Sequence, residues 1–206
     1  MKAKFIPLAV VSLALGSLPA WGQNALLPQQ PRPAQLNESG QIVVSGRSTP
    51  YIIRHLPVSS FPDLPPAVQE ALNQRGCLIP QTYEARQPEN VIHARFERAE
   101  TLDWAVLCSA QGTVSLLVFF TSAPGKPFLL ASAPETQHLQ AHPSSEVLGF
   151  NWGIDPASPQ QIHEAQIGLA PRPPKLDHDA LADSVVDHKT IYHFYAKNAW
   201  ILLEMP

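Results

Sequence analysis

Trp104-Ala105-Val106-Leu107-Cys108, Ser109-Ala110-Gln111-Gly112 and Thr113-Val114-Ser115-Leu116-Leu117-Val118-Phe119-Phe120 form one unbroken stretch that decides the fold. Two apolar, β-prone runs flank a short glycine-containing turn, which reads as a β-hairpin. The second run is apolar on both alternating faces. A strand of that kind sits in the middle of a sheet and is covered on each side.

Upstream, Asp63 to Gly76 carries the clearest helix of the chain. Pro65 and Pro66 suit a first turn, where backbone N–H groups have no helical partner. Val68, Ala71 and Leu72 recur at i, i+3, i+4 and form one apolar face. Arg75 complements the dipole at the C-terminal end, and Gly76 supplies the left-handed stop. Tyr51–Leu56 and Val91–Phe96 read as short strands, and Phe128–Ala131 as another. Downstream, Thr190–Tyr195 and Ala199–Leu203 flank Ala196-Lys197-Asn198, a second hairpin with Asn198 suited to a positive φ. Residues 132–176, rich in Pro, Gln and Ser, carry no assignable pattern. Long helical periodicity is absent. The expected fold is α+β: mainly antiparallel sheet built on two hairpins, with one short N-terminal helix.

Cys77 and Cys108 are the only cysteines. Cys77 directly follows the helix and Cys108 lies in the central hairpin. In an oxidising compartment an isolated pair forms a disulfide, which would tie helix to sheet. The N-terminus supports such a compartment. Met1-Lys2-Ala3-Lys4 is positive, Phe5–Leu18 is apolar and uncharged, and Ala20 and Gly22 provide the small residues of a cleavage site. This is the pattern of a secretory signal peptide over residues 1–22, and the apolar run is too short to span a bilayer. Residues 23–48, rich in Pro, Gln, Asn and Ser, read as a flexible leader, within which Ile42–Val44 could add an edge strand. Residues 49–206 then form a single domain. The expected location is periplasmic or secreted, with no membrane span after cleavage. The formal net charge is −3, and the loss of Lys2 and Lys4 with the leader makes it more negative. That argues against a nucleic-acid partner, which needs a basic face.

Gly76-Cys77-Leu78-Ile79-Pro80-Gln81, together with Asp103-Trp104-Ala105-Val106-Leu107-Cys108-Ser109, resembles a pattern shared by exported bacterial proteins of uncharacterised activity. The resemblance implies a compartment but no chemistry. Asp177-His178-Asp179-Ala180-Leu181-Ala182-Asp183 resembles the D-x-D-G-x-x-D calcium loop of FG-GAP repeats, with alanine at the turn glycine. That resemblance implies calcium as the one candidate cofactor, held by Asp177, Asp179 and Asp183.

His178, His188 and His193 lie beside those carboxylates, and imidazole with carboxylate suits zinc. Trp152, set among Gly149-Phe150-Asn151-Trp152-Gly153, reads as a loop aromatic able to line a ligand site. His163-Glu164 opens an H-E-x-x-H motif that fails at Ile167, and no G-x-S-x-G elbow or glycine-rich phosphate loop is present. No catalytic residue is assigned. The expected function is a non-catalytic binding or interaction module of the cell envelope, with an envelope protein as a possible partner. The alternative is a metal-dependent hydrolase that draws Asp and His from residues 177–193.

Overall fold

The computed structural model describes residues 36–142, 145–168 and 175–204. The expected signal peptide and the leader as far as residue 35 lie outside them. The described residues all fall within one compact unit.

The chain opens with β1 (Leu36–Val44) and β2 (Arg47–Pro57), then α1 (Pro66–Gln74). β3 (Leu78–Gln81), β4 (Val91–Ala94), β5 (Asp103–Ala110), β6 (Thr113–Phe119) and β7 (Phe128–Pro134) follow. A crossover containing a 3-10 turn leads to β8 (Leu139–Gln140), β9 (Leu148–Phe150) and β10 (Trp152–Ala157). After α2 (Pro159–Ala165) the chain ends in β11 (Ala180–Val185), β12 (Thr190–Ala196) and β13 (Ala199–Glu204).

These strands build a nine-stranded sheet with the path β7-β6-β5-β3-β2-β9-β8, with β1 added to β2 and β4 to β5. A second, four-stranded antiparallel sheet runs β10-β11-β12-β13. The α+β class and the antiparallel bias stand, but among the described residues the architecture is two multi-stranded sheets and two α-helices, where the sequence suggested two hairpins and one helix. The pairing β2–β9 is parallel and joins residues about a hundred positions apart, which local periodicity does not register.

The alternation of β5 and β6 explains the layering. Ala105, Leu107, Leu116, Val118 and Phe120 bury with Trp152, Ile154 and Leu181 of the second sheet. Val106, Cys108, Leu117 and Phe119 bury on the opposite face against Val68 and Leu72 of α1. The small sheet repeats this logic: Leu181 faces the large sheet, whereas Ala180 and Ala182 pack with Ile162 of α2. The layers therefore run α1, large sheet, small sheet, α2. Both expected hairpin turns form, with positive φ at Gln111-Gly112 and at Lys197-Asn198. Gly76 has φ +69° and ends the helix, and Cys77 and Cys108 are bonded with Cα atoms 5.1 Å apart.

From residue 36 onward, the stretch expected to be a flexible leader is strand. Residues 36–44 pair along their whole length with β2, around a Ser45-Gly46 turn with positive φ at both positions. The stretch is polar because most of it faces solvent; backbone hydrogen bonds to a neighbouring strand, not side-chain burial, hold it. Within residues 132–176, α2 begins with a capping box. Ser158 accepts from the Gln161 backbone, and the Gln161 side chain accepts from Ser158 N–H.

Candidate functional site

The expected site residues do not converge. Asp183 is not a surface carboxylate. It sits on β11 one alternation from Leu181, facing the large sheet, and is buried. Trp152 Nε1 donates to its Oδ1, and His193 Nε2 lies 3.0 Å from its Oδ2. Trp152, expected in a loop, opens β10 with 2% exposure, and its ring stacks on His138 at 4.2 Å. Trp152 is therefore a core residue whose indole N–H satisfies a buried carboxylate. The glycines around it pointed to a loop; Gly149 serves close packing instead. A Cβ on Gly149 would stand 2.4 Å from Tyr83 Cβ.

Asp179 closes a separate contact. Its Oδ2 accepts from Arg95 N at 3.0 Å, and its own N–H donates to Arg95 O at 2.9 Å. Asp177 Oδ1 lies 2.6 Å from His178 Nδ1, and the other His178 nitrogen lies 2.8 Å from Tyr195 O. His188 is exposed in the β11–β12 turn. Asp177, Asp179 and Asp183 thus face three different neighbours, and Ala180 continues into a strand. Neither the calcium loop nor a zinc set from His178, His188 and His193 is assembled. Among the described residues, the three-residue set whose ligand atoms do converge is Glu38, His55 and Glu135.

A cleft of about 740 Å³ opens between the β3–β4 loop (residues 82–90) and the β11–β12 turn, lined also by Gly153, Ile154 and Asp155. Small-molecule sites usually enclose roughly 300–1,000 Å³. The loop is fixed before any ligand arrives. Glu89 N donates to Gln81 Oε1 at 2.9 Å, and Gln81 Nε2 donates to Glu89 O at 3.0 Å. Thr82 N donates to Glu89 Oε1 at 2.7 Å, and Arg54 Nη2 donates to the Thr82 and Ala85 carbonyls from beneath.

Asn90 is the rivet. At φ +67° and buried, it donates from Nδ2 to Pro80 O at 2.7 Å and to Trp152 O at 3.2 Å. Its Oδ1 accepts from Ile154 N at 3.2 Å, and its carbonyl accepts from Leu107 N at 3.0 Å. One side chain therefore ties the loop to β3 and to β10.

Charge in the cleft is one-sided. Glu84, Glu89, Asp155 and Asp187 line it against Arg86 and His188. Desolvation, then the nearby Glu89, holds the Asp155 carboxyl above its ordinary range. Burial, then Glu84 and Asp187, likewise raises the hydroxyl of Tyr83, next to the cleft wall. The hydroxyls of Ser184 and Thr190 bond each other at 2.9 Å. Sequence reasoning passed over this cleft because its walls come from residues some hundred positions apart and are held largely by backbone groups. The one local signal was the cluster Glu84-Ala85-Arg86-Gln87-Pro88-Glu89-Asn90, a polar, proline-bearing loop between two strands.

No protein-family model, no curated protein and no solved structure matches this chain.

Proposed function

We propose that this chain is an exported, non-catalytic binding module whose cleft between residues 82–90 and 184–188 seats a small polar ligand bearing a positively charged nitrogen. The observation that carries this reading is electrostatic crowding inside a rigid recess. Asp155 and Glu89 both line the cleft, and desolvation together with Glu89 works against the charge on Asp155. An ammonium or guanidinium group between them relieves that repulsion and takes charge-assisted hydrogen bonds. A fixed loop lowers the ordering cost of binding. Export is supported by the signal-type N-terminus and by the Cys77–Cys108 disulfide. A helix long and apolar enough to cross a membrane is absent among the described residues. The acidic balance of the cleft also disfavours nucleic acid.

A thermal-shift screen tests the proposal. Compounds with a primary ammonium or guanidinium group should raise the unfolding midpoint, and matched carboxylates should not. At a hundredfold excess over the dissociation constant, binding adds about 2.7 kcal/mol, or roughly 5–10 °C for a domain of this size. Asp155→Asn, on a solvent-facing position of β10, should abolish the shift without lowering the basal midpoint. No shift with any cationic compound, or a shift indifferent to Asp155, refutes the proposal.

A further inference from the structure

Glu38, His55 and Glu135 come from three distant segments and meet at one point. In the β1–β2 register Glu38 lies opposite Ile53 and Leu36 opposite His55, so Glu38 and His55 project from the same face as diagonal neighbours. Glu135 opens the 3-10 turn of the crossover after β7, where its N–H donates to Gly112 O at 3.0 Å. His55 Nε2 lies 2.8 Å from Glu135 Oε1, and Ser109 Oγ donates to the same oxygen. His55 and Glu135 are each 2% exposed, whereas Glu38 is open to solvent. The donor atoms of all three residues lie within 4.8 Å of one another.

Two features of this cluster are unsatisfied. The second oxygen of Glu135 is buried without a hydrogen-bond partner. Glu38 also places a second carboxylate against Glu135, and two ionised carboxylates can only accept. Such a contact needs a shared proton or a cation.

We propose that Glu38, His55 and Glu135 bind a divalent first-row transition ion of the zinc class. One imidazole nitrogen and two carboxylate oxygens are three protein ligands of the type zinc takes, with a further position for water. Calcium, which takes six to eight oxygens, is poorly matched. Ser109 is the supporting hydrogen bond that orients Glu135, and the exposed side of Glu38 provides the access route. Because residues 38, 55 and 135 meet only in the folded chain, binding stabilises the fold and clasps the β1–β2 hairpin to the crossover. None of the three lines the acidic cleft, so this site stands or falls independently of the ligand proposed there.

The purified protein, stripped with EDTA and dialysed, is titrated with zinc chloride. The expected result is one zinc per chain by elemental analysis and a midpoint several degrees higher at a hundredfold excess over the dissociation constant. Cobalt(II) loaded instead should give a visible absorption band that zinc displaces. Glu38→Gln, on a solvent-exposed position, should fold normally yet weaken zinc binding at least tenfold and remove the cobalt band. No stoichiometric zinc overturns the proposal and leaves a shared proton between the carboxylates. Zinc binding unchanged by Glu38→Gln overturns it equally, because the ion then sits elsewhere.

Discussion

Replacing Asn90 with alanine tests whether one side chain organises the cleft. The substitution removes three hydrogen bonds, to Pro80 O, Trp152 O and Ile154 N. Ile154 N–H is then buried without a partner, at a cost of about 1–3 kcal/mol. Two carbonyls lose a donor as well. The backbone at residue 90 has φ +67°, which asparagine tolerates and alanine resists by roughly 1–2 kcal/mol. Together these give a destabilisation of about 3–5 kcal/mol, near the top of the range for a single substitution. Thermal unfolding should register it as a fall of about 6–20 °C in midpoint for a domain of this size. Asn90→Gly separates the two contributions: it relieves the backbone strain but restores no bond, and should recover about 1 kcal/mol of the loss. Asn90→Ala within about 1 kcal/mol of the parent would refute the rivet, since that is the net worth of one ordinary hydrogen bond. Equal losses for Ala and Gly would refute the backbone part of the reasoning.

Removing the disulfide with Cys77→Ser and Cys108→Ser together should lower stability by about 2–5 kcal/mol in denaturant unfolding; a loss below about 1 kcal/mol would mean that α1 is held by packing alone. Burial keeps His138 below its ordinary value, against the opposing pull of Asp183. A histidine depressed in the fold contributes stability that is present above the unfolded value of about 6.5 and is lost as pH falls through it. The unfolding midpoint should therefore fall between about pH 7 and 5, less steeply in His138→Gln, and identical slopes would contradict this. Millimolar calcium should leave the midpoint unchanged, since Asp177, Asp179 and Asp183 face separate partners; a rise of several degrees abolished by Asp179→Ala would restore the calcium loop.

The parts of the fold legible in the sequence were those governed by short-range pattern. Leu116–Phe120 alternate without a polar residue, which marks a two-faced central strand. Pro65-Pro66 and Gly76 bracket α1, and Asn198 marks its turn. What escaped was held by the backbone or by distant pairing. β1 looks like a leader because Leu36–Val44 buries little, although every residue of it pairs with β2. α2 was legible in principle, since Ser158-Pro159-Gln160-Gln161 carries both a capping box and a proline at its start, but the surrounding prolines and glutamines masked it. The site residues failed for a physical reason. Asp183 and Trp152 are conspicuous singly as carboxylate and aromatic, and only the β10–β11 pairing reveals that they satisfy one another. Glu38, His55 and Glu135, separated by up to 97 positions in sequence, offer no local motif at all.

The central claim is that the cleft walled by residues 82–90 and 184–188 is a seat for cationic nitrogen. The most direct measurement is a proton–nitrogen correlation NMR titration of the uniformly labelled protein with cadaverine and, separately, with glutarate, which matches its length with opposite charge. The account predicts saturable shifts with cadaverine confined to amides of residues 82–90, 153–155 and 184–188, lost in Asp155→Asn, and none with glutarate. Equal responses to both compounds, or cadaverine shifts centred away from these three segments, would contradict it.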